Sequence, residues 1–291
     1  MAESAHLRIG AFSRRVGVSP ELLRAWEQRY ALLEPVRSSG GFRLYSAKDE
    51  ERVRAMRRHL DAGVSAAQAA RLALADATDD AVEDSRAAGL AGLALELRSA
   101  LDRLDEPGSQ ASLDRLFAMF TLQTVLRDVV LPYLHELGER WERGEASVAQ
   151  EHFASNLLRG RLLGLARGWG QGSGPRAVLA CAPGELHDLP LITFGLVLGA
   201  HGWRITYLGP DTPIATIEEA LADVEPRLVV VSATTKQRLR AAQTGLSALA
   251  RRLPVAVAGA GATQGIARAT GASLLAGDPV TAAERVAGER A

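Results

Sequence analysis

The stretch Glu185-Leu186-His187-Asp188 places an imidazole between two carboxylates. A carboxylate beside an imidazole fixes its tautomer and raises its basicity, which suits a metal ligand or a general base. His187 follows the apolar run RAVLAC (176–181), so it stands where an expected strand gives way to a helix. In open α/β sheets that edge is where ligands bind. Taken alone, the residue reads most simply as a surface histidine near a helix N-terminus, with helix capping and core packing as the other bland readings. Ser232 ends a third expected strand, and Gly259 and Gly261 end a fourth. Small residues at successive strand ends open a slot in which a long ligand tail can lie against backbone.

The elements that position these residues follow from the apolar pattern. RAVLAC, RITYL (204–208), RLVVVSA (227–233), PVAVAG (254–259) and SLLAG (273–277) are short apolar runs alternating with helical segments. That alternation predicts a doubly wound parallel sheet over 175–291. Upstream, amphipathic stretches at about 86–105, 112–123, 124–142 and 148–168 are separated by DEPGS (105–109) and ERGEAS (142–147). They predict a four-helix bundle over 86–168. The acidic run ADATDDAVEDS (75–85) and the glycine-rich WGQGSGP (169–175) are expected linkers.

Residues 1–75 predict a third body. Helices over 9–16 and 20–30 flank GVSP, with Ser19 as N-cap and Pro20 in the first turn. RSSGGFRLYS then predicts a hairpin turning at Gly40-Gly41, and helices over 47–59 and 65–74 follow caps Ser46 and Ser65. Two short helices, a tight turn and a basic wing make a winged helix-turn-helix outline. The chain is therefore expected to be multidomain, α and α/β.

Charge supports that outline. The 34 Lys and Arg balance the 34 Asp and Glu overall, yet residues 7–75 carry 13 against 7. A basic head on an acidic body is a footprint of nucleic-acid binding. Arg24 and Arg29 of the second helix are candidates for base edges, and Arg37, Arg43 and Tyr45 of the wing for phosphates, with Arg14 and Arg15 adding charge toward the backbone. Cys181 is the only cysteine, which excludes an internal disulfide and a cysteine zinc cluster and fits a reducing cytoplasm. No run reaches the ~18 apolar residues of a membrane span, and MAESAHLRIG lacks a signal-peptide core. The expectation is a cytoplasmic, non-membrane protein.

Three resemblances add to this reading. IGAFSRRVGVSPELLRAWEQRYALLEPVRSSGGFRLYS resembles the MerR family of transcription regulators, over residues 8–75. ELHDLP…SAT…GAG is similar to the DxHxxG…SxL…GG pattern of cobalamin-binding domains, with Glu185 for Asp, Pro190 for Gly and Gly-Ala-Gly for Gly-Gly. WERGEASVAQEH matches the Wx9EH motif of CarH-type photoreceptors and their LitR relatives, through Trp141, Glu151 and His152.

These resemblances imply adenosylcobalamin as the cofactor. His187 would be the lower cobalt ligand, with Glu185, Asp188, Ser232, Thr234, Gly259 and Gly261 around it and the nucleotide tail. Trp141 would cover the upper face, and Glu151 and His152 would meet the adenosyl group. Without the resemblance, Trp141 reads as bundle core and Glu151 as a helix cap. Glu142 follows Trp141 where some relatives have a histidine that takes cobalt after illumination, leaving His135 or His152 as substitutes. The implied function is that of a light-responsive repressor, not an enzyme. It would hold double-stranded operator DNA as an oligomer in the dark, a dimer of dimers formed through the bundle and cobalamin-binding regions. Glu142 and Pro190 motivate an alternative: a regulator of the same architecture that senses cobalamin without photochemistry, or another tetrapyrrole. A corrinoid-carrying enzyme module is the remaining class, and the basic head argues against it.

Overall fold

The computed structural model describes residues 6–289, with the backbone alone over 78–84. Residues 1–5 and 290–291, the outer ends of the first and third expected domains, lie outside the described residues. The chain divides into two compact units, Met1–Ala91 and Gly92–Ala291.

The first unit opens with β1 (Leu7–Arg8), α1 (Ile9–Val16) and α2 (Pro20–Tyr30). The Ser19 side chain accepts from the Leu22 N–H, capping α2 as expected. The wing pairs β2 (Val36–Arg37) and β3 (Arg43–Tyr45), and β1 adds on the other side to give an antiparallel order β1-β3-β2. α3 (Ala47–Asp61) begins with a reciprocal capping box between Ser46 and Asp49. Its apolar stripe closes on Phe12, Leu23, Trp26, Leu32 and Tyr45, all buried. Full burial of a side chain of this kind contributes about 1.5–3 kcal/mol. The Phe12 and Tyr45 rings stack with centroids 4.7 Å apart.

α4 runs without interruption from Ala66 to Asp102. The expected linker over 75–85 is thus corrected: its backbone is helical. Alanine and the acids of that run lack an amphipathic stripe, but alanine is the best helix former, and propensity sustains the helix where periodicity gives no signal.

The second unit contains the end of α4, then α5 (Glu106–Met119), α6 (Leu122–Val125), a π-helical turn (Leu126–Val130), α7 (Leu131–Glu142) and α8 (Val148–Leu165). DEPGS, expected as a break, starts α5 instead: Asp105 caps it by accepting from the Gly108 N–H at 3.0 Å, and Pro107 occupies its first turn. Leu97, Leu101, Leu113, Leu116, Leu137 and Leu158 are among the fully enclosed side chains.

Next come β4 (Arg176–Cys181), α9 (Leu189–Ala200), β5 (Arg204–Gly209), α10 (Ile214–Val224), β6 (Leu228–Ser232), α11 (Lys236–Ala241) and α12 (Gln243–Ala250). β7 (Val255–Ala258), α13 (Gln264–Thr270), β8 (Ser273–Leu274) and α14 (Pro279–Gly288) complete the unit. The sheet is parallel throughout, in the order β5-β4-β6-β7-β8. Central strands β4 and β6 are buried on both faces, which is why they read as continuous apolar runs.

α9 is buried along nearly its whole length, packing on β4, β5, α8 and α14. Trp169, from the expected second linker, lies against it: a Cβ on Gly195 would sit 3.0 Å from the indole. The Trp169 carbonyl accepts from the Ile205 N–H at 2.7 Å, so this segment is tied to the edge strand.

Candidate functional site

His187 lies in the loop from β4 to α9, at the C-terminal edge of the parallel sheet. Glu185, two residues earlier, is completely buried and binds it twice. Glu185 Oε1 accepts from the His187 N–H at 2.9 Å and lies 2.6 Å from ring Nδ1. An acceptor-only carboxylate on Nδ1 places a proton there, so that in the neutral ring the lone pair is on Nε2. The His187 side chain is 67% exposed, so Nε2 is open to an incoming ligand.

The other oxygen of Glu185 accepts from the Thr234 N–H and hydroxyl, each at 2.6 Å, and from Arg238 Nη1 at 2.8 Å. Burial pushes the Glu185 carboxyl up, but the hydrogen bonds from Thr234 and His187 outweigh it and hold the group at about 2. The carboxylate that orients His187 is therefore ionised throughout the physiological range.

A cavity of about 620 Å³ opens beside His187. Its walls come from α9 (Pro190, Phe194), the β6 end (Ser232, Thr234), the β7 end (Gly259) and α14 (Pro279), with His135 of α7 at its boundary. Gly259 has φ +88, and a Cβ there would stand 2.5 Å from the Ala233 carbonyl oxygen. Gly261 does not line the cavity. A Cβ on it would meet the Thr235 backbone at 2.4 Å, so this glycine serves the close approach of two loops.

Asp188 does not face the cavity either. It is 3% exposed, and its Oδ2 accepts from Arg159 Nε at 2.7 Å and from the Tyr207 hydroxyl at 2.5 Å. Burial and this carboxylate together hold the Tyr207 hydroxyl far above its ordinary range. Cys181, under the loop, is buried and its thiol is pushed up to about 11, so it is no nucleophile at neutral pH.

Trp141, Glu151 and His152 are not among the residues lining this cavity. Trp141 is half exposed near the end of α7. Glu151 and His152 lie in the first turns of α8, where Glu151 accepts from the Ser155 hydroxyl at 2.8 Å and stands 3.5 Å from His152 Nε2.

In the first unit Arg14, Arg15, Arg24, Arg29 and Arg37 are exposed. Arg15 pairs with Glu50 at 2.7 Å, and Arg29 lies over the Tyr30 ring. Arg43 is half buried and donates to Glu27 at 2.9 Å. Tyr45 is fully buried, with its hydroxyl donated to Glu27, so its ring belongs to the core rather than to the wing surface. At the wing, exposed Phe42 carries Arg8 over its ring at 4.5 Å, a pairing that no local pattern announces.

Among the described residues no three His, Cys, Asp or Glu side chains gather into a metal cage. A lone imidazole with a free nitrogen suits a metal already held by a macrocycle, and the cavity of about 620 Å³ beside it has room for part of a large ligand. The residues present fit a cobalt corrinoid.

Residues 7–75 match the MerR HTH family of regulatory proteins, and residues 93–163 and 175–286 match two B12-binding domain families. The HTH-type transcriptional repressor CarH of Myxococcus xanthus is 33% identical over 90% of this chain and 91% of its own length. The chain belongs to the CarH-type MerR regulators. A second relative, the repressor CarA of the same organism, is 33% identical over 89% of this chain and 88% of its own. The corrinoid protein for monomethylamine of Methanosarcina barkeri matches 66% of this chain and 96% of its own, with TM-score 0.55 and 20% identity, which speaks for the fold alone.

As a CarH-type protein the chain is a regulator rather than an enzyme, with a DNA-binding head and cobalamin-binding regions. Among the described residues no helix is long and apolar enough to cross a membrane. Arg238, Arg159 and Tyr207 were not legible as site residues from sequence. They reach Glu185 and Asp188 only through the fold, from positions 53, 29 and 19 residues away.

Proposed function

We propose that the chain is a light-responsive transcriptional repressor that uses adenosylcobalamin. The observation that carries this reading is His187, exposed and oriented by a buried, ionised Glu185 beside a slot, in a chain whose head is of the MerR type. His187 would bind cobalt from below, with Ser232, Thr234 and Gly259 along the tail. Trp141, Glu151 and His152 would shape the opposite face. Bound adenosylcobalamin supplies a cobalt–carbon bond that light breaks.

Arg14, Arg15, Arg24, Arg29, Arg37 and the partly covered Arg43 provide the charge for operator DNA. A ligand can drive a switch only through its differential affinity for two states, so adenosylcobalamin must favour the assembled protein over the free one. Several weakly binding heads joined in a dimer of dimers then hold DNA far better than one.

The test uses a duplex selected from a random library by the full chain with adenosylcobalamin in darkness. Its affinity and the protein's mass in solution are then measured in the dark and after green light. The reading expects tight binding and a larger oligomer in the dark, both lost on illumination. Dark binding that needs the cofactor but ignores light, with an unchanged absorption spectrum, removes the photochemistry and leaves a cobalamin sensor. Pro190 in the cavity wall and Glu142 after Trp141 are the residues that motivate that second reading.

A further inference from the structure

The His187 loop is held at two points. On one side Glu185 ties it to the end of β6, through Thr234, and to α11, through Arg238. On the other, Asp188 ties it to α8 and β5, through Arg159 and Tyr207. Asp188 occupies the N-cap position of α9, yet its side chain makes no cap bond. A nearly buried carboxylate has been turned away from the orphan N–H groups of its own helix toward a cation and a hydroxyl from two other elements.

We propose that Arg159 and Tyr207 are positioning residues for the cobalt ligand. Through Asp188 they make the seating of α8 against α9 and the presentation of His187 a single event. This rests on the reading of His187 as the lower ligand.

Three features carry the inference. The carboxylate is 4% exposed at its side chain, and a charge so placed is tolerated only while paired. Removing Arg159 therefore favours movement of the loop over persistence of an unpaired anion. Tyr207 has little freedom to follow, because its ring meets Trp169 edge-on at 5.9 Å and Trp169 is packed against α9. Asp188 is also the next residue after His187, so a shift of its backbone reaches the His187 backbone with no intervening residue.

The molecule contains its own control. Arg127, in the π-helical turn, pairs with Glu284 of α14 at 2.7 Å. That pair also joins a bundle helix to the α/β layer but touches neither Glu185 nor the His187 loop.

The experiment compares full-length Arg159→Met, Arg159→Lys, Tyr207→Phe, Arg127→Met and His187→Ala, with adenosylcobalamin in darkness as the probe. Affinity, the visible spectrum of the bound cofactor and amide exchange over residues 184–190 in ligand-free protein are the readouts. Arg159→Met is expected to weaken binding by about 10–100-fold, the range for partners that orient a metal ligand. It should also shift the bound cofactor toward the spectrum without an axial base and speed exchange in the loop.

Arg159→Lys should recover part of each effect, and Tyr207→Phe should show a smaller version. Arg127→Met should lower the melting temperature and leave affinity, spectrum and loop exchange as in the parent. If Arg159→Met fails to fold, Arg159→Lys and Tyr207→Phe carry the comparison. Arg159 and Tyr207 variants that match Arg127→Met in all three readouts overturn the inference. A His187→Ala protein with an unaltered cofactor spectrum overturns the underlying ligand assignment instead, and loop exchange in the ligand-free variants still decides whether Asp188 anchors the loop.

Discussion

Glu185 Oε1 meets His187 at two atoms, the backbone N–H at 2.9 Å and ring Nδ1 at 2.6 Å. One carboxylate oxygen thus fixes both where the loop runs and which nitrogen carries the proton. Glu185→Gln keeps the shape of the side chain but removes the charge that Arg238 and the imidazole share. It is expected to weaken adenosylcobalamin retention by about 10–100-fold. Equilibrium binding in darkness, with the ¹⁵N shifts of the His187 ring in the ligand-free protein, checks this. Unchanged affinity and an unchanged tautomer would mean that Glu185 is only a structural anchor.

Gly259 tests the wall of the cavity. With φ +88 and the Ala233 carbonyl oxygen 2.5 Å from where a Cβ would stand, Gly259→Ala must both enter left-handed backbone and displace the backbone at Ala233, just past β6. A loss of about 1–3 kcal/mol in unfolding free energy is expected, read by urea titration, with weaker cofactor binding alongside. A neutral substitution would show that the β6 and β7 ends are more pliant than the structure indicates.

Asp278 supplies a pH dependence. It caps α14 by accepting from Val280 N–H at 3.0 Å and Thr281 N–H at 2.9 Å, and α14 starts with cavity residue Pro279. Burial pushes its carboxyl up, and the bonds from Thr281 and Val280 more than reverse this, so its folded value lies below the unfolded one. The stabilisation is therefore complete above the unfolded value and lost as pH falls through the lowered one. Asp278→Ala should cost about 1 kcal/mol near neutrality, and the gap to the parent should narrow in acid. Denaturant melts at neutral and acid pH read the two gaps, and a gap that widens in acid contradicts the assignment.

Arg37, exposed on the wing, tests the DNA surface. If it neutralises a phosphate, Arg37→Ala weakens binding about equally across duplex sequences and lowers the slope of log affinity against log salt by about 1. A loss confined to one sequence would make it a base reader instead.

Much of this is legible in the chain itself. The five strands announce themselves because a parallel sheet covered on both faces must be apolar without alternation, as β4 and β6 are. His187 and Glu185 could be paired because they are two residues apart. What escaped was set by other forces. The helix through 75–85 follows intrinsic propensity where the amphipathic signal vanishes. Pro107 and Asp105 read equally well as a break or as a start, and only packing decides. The direction of the Asp188 side chain was out of reach, because the partners that turn it come from α8 and β5. Tyr45 is buried rather than on the wing surface, and sequence does not separate the two, because a tyrosine in a basic wing has the same local signature whether its ring faces solvent or stacks on Phe12.

The most direct measurement is the visible spectrum of the full chain with adenosylcobalamin in darkness, set beside that of His187→Ala. If the imidazole binds cobalt from below, the parent shows a nitrogen-ligated cofactor that co-elutes with the protein, and the variant shows loss of that ligation together with weakened retention. A variant whose spectrum and affinity match the parent would place the ligand elsewhere and contradict the account.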